Sequence, residues 1–116
     1  MAGTYLRRPL SASTDGRGIK VVQTATAGTT IHTAQASATL VDVVTLIAYN
    51  SDTVTRRLTL EWGGATAPDD NLVFDIPAKS TVPLVVDLLL RNSLVLKAFA
   101  DAANVVAIFG FITVES

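Results

Sequence analysis

From residue 19 onward the chain breaks into short runs of Val, Ile, Leu, Thr and aromatic residues, separated by Gly, Pro, Asn, Asp and Ser. β-branched and aromatic side chains suit a pleated surface, and the separating residues supply turn conformations, so the pattern predicts strands. Eight are expected, over residues 19–25, 29–34, 41–50, 54–62, 72–76, 82–90, 94–100 and 104–115. Asn50-Ser51-Asp52-Thr53 suits a hairpin loop, Arg91-Asn92-Ser93 a tighter one, and Asp101-Ala102-Ala103-Asn104 a type I turn. Turns arriving about every 8 to 12 residues leave no room for crossover helices. The predicted fold is therefore all-β: an antiparallel β-sandwich, jelly-roll-like or another Greek key, rather than a parallel sheet. A helix over residues 84–99 is the main competitor, and Pro83 together with the Arg91-Asn92-Ser93 break opposes it.

Side-chain parity separates strands with one wet face from strands with none. In 54–62, Val54, Leu58, Leu60 and Trp62, with Arg56 the exception on their parity, alternate with Thr55, Arg57, Thr59 and Glu61, which predicts one dry and one wet face. In 104–115, Val106, Ile108 and Ile112 lie on one face, yet Val105, Phe109 and Phe111 lie on the other. Residues 41–49 behave similarly, with Val43, Ile47 and Tyr49 opposing Val44 and Leu46. A strand in a two-layer sandwich needs one apolar face, so the second calls for cover by the N-terminal segment, a long loop or another subunit. Self-association follows as the expectation, with Val105, Phe109 and Phe111 as its residues. Trp62, before Gly63-Gly64, is read either as a core plug or as an interface anchor.

Residues 1–18 show neither a period of 2 nor one of 3.6 and are rich in Ser, Thr, Gly and Arg. They are expected to form an extended N-terminal arm, with residues 19–116 as a single sandwich domain. Charge divides along the same line. Up to residue 20 there are Arg7, Arg8, Arg17 and Lys20 against Asp15, a surplus of three; the whole chain carries -1, which leaves -4 for the remainder. A basic arm on an acidic body suits docking on a neighbour through Tyr5, Leu6, Arg7, Arg8 and Arg17. Removal of residues 1–16 is then expected to leave the fold intact and to abolish docking.

Composition narrows the remaining classes. The chain has 116 residues, 49% of them hydrophobic and 16% charged, and no cysteine, which excludes disulfide scaffolds and thiolate metal sites. The longest apolar run, 105–112, is far short of the roughly 20 residues of a spanning helix. Residues 9–18 are polar where a signal peptide has its apolar region, so neither a membrane partner nor export by a cleaved signal is expected. His32 is the single histidine and no G-x-S-x-G elbow accompanies it, so it is read as a polar strand position facing solvent or a subunit boundary. Asp69-Asp70-Asn71 lacks the alternating acidic pattern of a calcium loop and reads as a solvated turn. Gly16-Arg17-Gly18 precedes a strand and lacks a third glycine, so it is no phosphate cradle. No catalytic residue, metal, cofactor or direct nucleic-acid contact is expected.

The phrases Leu10-Ser11-Ala12-Ser13-Thr14-Asp15-Gly16-Arg17-Gly18-Ile19, Leu60-Glu61-Trp62-Gly63-Gly64, Ile76-Pro77-Ala78 and Leu96-Lys97-Ala98-Phe99-Ala100, with residues 28–34, carry a resemblance. Over most of its length the chain resembles small virion-associated proteins of tailed bacteriophages, head decoration (cement) proteins above all. That resemblance implies a non-enzymatic structural protein, often trimeric, located in the virion. It implies binding to the major capsid protein across subunit joints of the outer head surface, reinforcing the shell. A tail, neck or baseplate component is one alternative. A carbohydrate-binding sandwich, with Trp62, Tyr49 and loop 63–71 around a sugar, is another.

Overall fold

The computed structural model describes residues 5–115 and contains nine strands and no helix among them. They are β1 (Tyr5–Pro9), β2 (Ile19–Lys20), β3 (Thr29–Thr33), β4 (Asp42–Asn50), β5 (Arg56–Trp62), β6 (Asn71–Ile76), β7 (Thr81–Leu90), β8 (Val95–Ala100) and β9 (Val106–Glu115). Sheet I has the order β1-β9-β4-β7, with β2 also on β9; sheet II has the order β3-β8-β5-β6. All pairings are antiparallel. After β1 the chain pairs β2 with β9, β3 with β8, β4 with β7 and β5 with β6, a long hairpin of strand pairs rolled into two sheets. This is the jelly-roll arrangement.

The predicted strands recur with shifted ends, and local hydrogen bonds explain the shifts. The 19–25 strand ends at Lys20 as a ladder because the Thr29 hydroxyl captures the backbone N–H groups of Val22 and Gln23, both at 3.0 Å. The 54–62 strand starts at Arg56 because Asn50 Nδ2 donates to Val54 O, holding that residue in the preceding loop. In the β7–β8 connection Asn92 and Ser93 both have positive φ (64° and 60°), and Leu94 N–H closes on Arg91 O at 3.3 Å. That is a type I′ turn, whose twist matches the flanking strands.

The core fills the space between the sheets with Ile31, Leu46, Leu58, Leu60, Ile76, Leu96, Val106 and Ile108, each 1% exposed or less. Of their two apolar faces, β4 buries Val44, Leu46 and Ala48, and β9 buries Val106, Ile108 and Ile112. Gly110 sits opposite Leu46. A Cβ there would lie 2.1 Å from Thr45 O, so only glycine allows β9 to approach β4 this closely. Asn50, expected to sit in a surface hairpin loop, is fully buried: its amide donates to Val54 O, Ile76 O and Pro77 O, and its Oδ1 accepts Asp52 N–H.

Of the expected arm, residues 5–9 are extended and lie along sheet I, whereas residues 11–16 form turns closed by Ser13 N–H on Leu10 O and Arg17 N–H on Thr14 O. β1 pairs Tyr5 through Pro9 with Glu115 through Phe111, continuing the edge that β2 forms farther along β9. The chain then turns inward: Leu10 is 1% exposed and belongs to the core. Residues 1–4 of the expected arm, and residue 116 of the expected domain, lie outside the described residues.

Candidate functional site

His32 is 3% exposed, not a solvent-facing strand position. Its Nε2 lies 2.7 Å from Asp42 Oδ2, and Asp42 is itself 2% exposed. Ser11 N–H donates to Nδ1 at 3.0 Å. A backbone N–H can only donate, so Nδ1 is the acceptor and the imidazole proton sits on Nε2, directed at Asp42. Gln35 completes the cluster, donating its Nε2 to Asp42 Oδ1 at 3.0 Å and its backbone N–H to Oδ2 at 3.2 Å. The sequence could not pair β3 with residue 42 because tertiary folding brings them together. Ser11 Oγ meanwhile accepts Thr33 N–H at 2.7 Å. The residue types of a catalytic triad thus meet without its geometry: both ring nitrogens are engaged, neither by the serine hydroxyl. The cluster fastens the N-terminal segment to β3.

A second buried acid lies on the outer side of sheet II. Parity assigned Glu61 and Thr59 to a wet face, yet they are 2% and 6% exposed. Loop 21–28 folds across them, and Glu61 accepts Gly28 N–H at 2.6 Å and the Thr26 hydroxyl. The carboxylate is a loop clamp, and the wet face is confined to Arg57 and its neighbours. Asp70, in the loop before β6, accepts Thr66 N–H at 3.1 Å, as a self-capping turn does. No group of three or more metal-ligating side chains occurs among the described residues.

Two ion pairs, Arg57–Asp75 exposed and Arg56–Asp52 half-buried, tune their carboxylates. Hydrogen bonding from Arg57 holds Asp75 below the usual carboxylate range, and Asp52 is held low first by Thr53 N–H and then by Arg56. Because these folded-state values lie below the unfolded ones, their stabilising contribution is present above the unfolded carboxylate range and is lost as pH falls through the folded values. In a carbon-13 titration of the carboxyl groups, Arg57→Gln should return Asp75 to its ordinary range and leave Asp52 low. An unmoved Asp75 would contradict the assignment.

The self-association residues expected from parity divide between two places. Phe109 and Phe111 stand on the outer face of sheet I, opposite Ile47 and Thr45 of β4; Ile47 in turn opposes Pro83 of β7. Val43, opposite Thr113 and Leu89, extends the same face. Phe109, Ile47 and Leu89 are 37%, 40% and 54% exposed, so this face offers apolar side chains to solvent on both sides of Thr45. Gly18 passes so close over the Phe109 ring that a Cβ would approach it to 2.6 Å. Val105 is half-buried just before β9 and packs on the core. Trp62 is apart from all three: it packs on the core and donates its indole N–H to Leu89 O at 2.9 Å.

The expected docking residues gather on one edge. Tyr5, Leu6, Arg7 and Arg8 are all exposed on β1, and the Arg7 guanidinium sits 4.7 Å from the centre of the Phe111 ring. Arg17 and Lys20 border an open groove of about 690 Å³ together with Tyr49, Asn104 and Phe109. The sugar cradle expected from Trp62 and Tyr49 is not assembled. Tyr49 opposes Thr81 at the start of β7, whereas Trp62 bonds Leu89 near its end. Comparison with protein-family models, with curated proteins and with solved structures returned no match for this chain.

Proposed function

We propose that this chain is a non-enzymatic structural protein of a tailed-phage virion, a capsid decoration protein that self-associates and binds the outer head surface. The observation that carries the reading is the apolar outer face of sheet I, where Phe109, Ile47, Pro83 and Leu89 are exposed, with Val43 half-buried among them, beside a basic edge. Such a face is costly in isolation and stabilising when covered, and apolar burial contributes roughly 25 cal/mol per Å². The basic residues Arg7, Arg8 and Arg17 suit an acidic protein surface and steer association. His32, the one histidine, is occupied in fastening the chain to itself, which accords with a role in contact rather than in reaction.

Light scattering behind size exclusion, followed by co-sedimentation with DNA-filled phage heads, tests the reading. An oligomer that pellets with heads at near-lattice stoichiometry is the expected result. A protein that leaves heads unbound would overturn the decoration role, and recovery at a few copies on tails would move it to the tail.

A further inference from the structure

We propose that copies of this chain join head to tail, the β1/β2 edge of one meeting the β7 edge of the next, so that the assembly is a closed ring. The proposal rests on the self-association reading and specifies its geometry. In sheet I, β1 and β2 lie along one side of β9, and β7 is the opposite edge strand. The first edge presents Arg7, Arg8, Arg17 and Lys20 against a single acid, Asp15. Among the described residues Arg8, Arg17 and Lys20 take part in no ion pair. The β7 edge is apolar, with Val86, Leu89 and Leu88 at 70%, 54% and 37% exposure, and its one charged residue is the exposed Asp87. Lys79 and Arg91 flank β7 at its two ends. Asp69 and Asp70 border the same side, their loop held to Trp62, whose indole bonds Leu89.

Natural sheets blunt exposed edges with charge and proline, and β1 follows that rule with Arg7, Arg8 and Pro9. β7 keeps ten residues of mostly apolar edge, interrupted by Pro83. Two β1 edges brought together would set arginine on arginine. Set antiparallel with Arg7 opposite Asp87, the β1 edge on the β7 edge covers Leu89 and Leu88 with Tyr5 and Leu6, which are 59% and 47% exposed. Three antiparallel steps separate β1 from β7, so the two strands run in opposite directions. Copies in the same orientation therefore meet in antiparallel sense. A ten-residue strand along a body 20 Å in its short dimension offers a side of roughly 650 Å², close to the roughly 800 Å² per partner of a standard interface. Contact between two different patches is heterologous, and it closes into a ring when the rotation fits.

Charge reversal within one chain tests this. Arg7→Glu with Arg8→Glu, and separately Asp87→Lys, should each weaken association at least tenfold by light scattering. All three substitutions in one chain should restore it, because every interface regains opposite charges. The positions are exposed, Lys79 already holds a φ of 55° like the 54° of Asp87, and thermal melts verify each fold; Asp87→Asn supplies a milder neutralisation. An oligomer whose mass is indifferent to these changes, or a triple variant that stays dissociated, would overturn the head-to-tail geometry alone. A wild-type monomer would overturn the self-association reading and this one together.

Discussion

Removal of residues 1–16 will unfold the protein rather than merely free it from a partner. Leu10 is 1% exposed between the sheets, so even Leu10→Ala should cost about 2 to 5 kcal/mol through lost burial and the cavity left behind. The larger deletion also removes β1 from the edge of β9 and takes away Ser11, whose N–H caps His32 and whose hydroxyl accepts Thr33 N–H. A domain of this size holds only about 5 to 15 kcal/mol in total. The truncated protein should lack a cooperative melt by circular dichroism, and Leu10→Ala should melt roughly 10 to 20 °C below wild type. A truncated chain with an unchanged melt would show that Leu10 burial contributes little. The expectation that this segment is dispensable to the fold came from its composition, which is rich in Ser, Thr, Gly and Arg; the single inward turn at residue 10 carries no period.

Substitution of Asp42 should be the most damaging change among the buried polar groups. Its carboxylate accepts from His32 Nε2 and from both the backbone and the side-chain nitrogen of Gln35. Asp42→Ala leaves those donors buried without an acceptor, and the loss of one partner from a buried pair costs about 3 to 5 kcal/mol. Asp42→Asn should cost less, about 1 to 3 kcal/mol: one amide oxygen still accepts, while the new NH2 group confronts a donor. Urea unfolding of both variants, with His32→Ala and the double variant, gives the coupling energy between the pair. A coupling near zero would refute the cluster as a structural clasp. Nitrogen-15 shifts should report a neutral imidazole protonated on Nε2; protonation on Nδ1 alone would contradict the Ser11 contact.

Strand existence was legible wherever a run carried its own period and its own punctuation. β4, β5, β8 and β9 begin and end within two residues of the pattern because alternation and turn residues are local properties. β1 was not legible: Tyr5-Leu6-Arg7-Arg8-Pro9 has no alternation that a wet edge strand needs to display. It becomes a strand because β9 continues past β2 and leaves its ladder open to residue 115. The two apolar faces of β9 could be read from parity, and with them the candidacy of Phe109 and Phe111. Trp62 could not be assigned, since a tryptophan at a strand end satisfies core and interface rules equally, and only the indole bond to Leu89 decides for packing.

The sequence by itself determined the fold class, the spacing of the strands and the apolar face of β5, because hydrophobic period and turn chemistry act over a few residues. Tertiary structure alone decided what the isolated polar residues do. His32 and Asp42 are ten positions apart, Ser11 and His32 twenty-one, and Glu61 and Gly28 thirty-three. Whether a polar side chain is solvated or buried with partners depends on which backbone crosses it, and that crossing follows from the rolling of strand pairs into two sheets. The placement of a basic edge opposite an apolar one has the same origin. Residues 5–20 and 81–90 become the two sides of a single sheet only through the pairing of β9 with both β1 and β4.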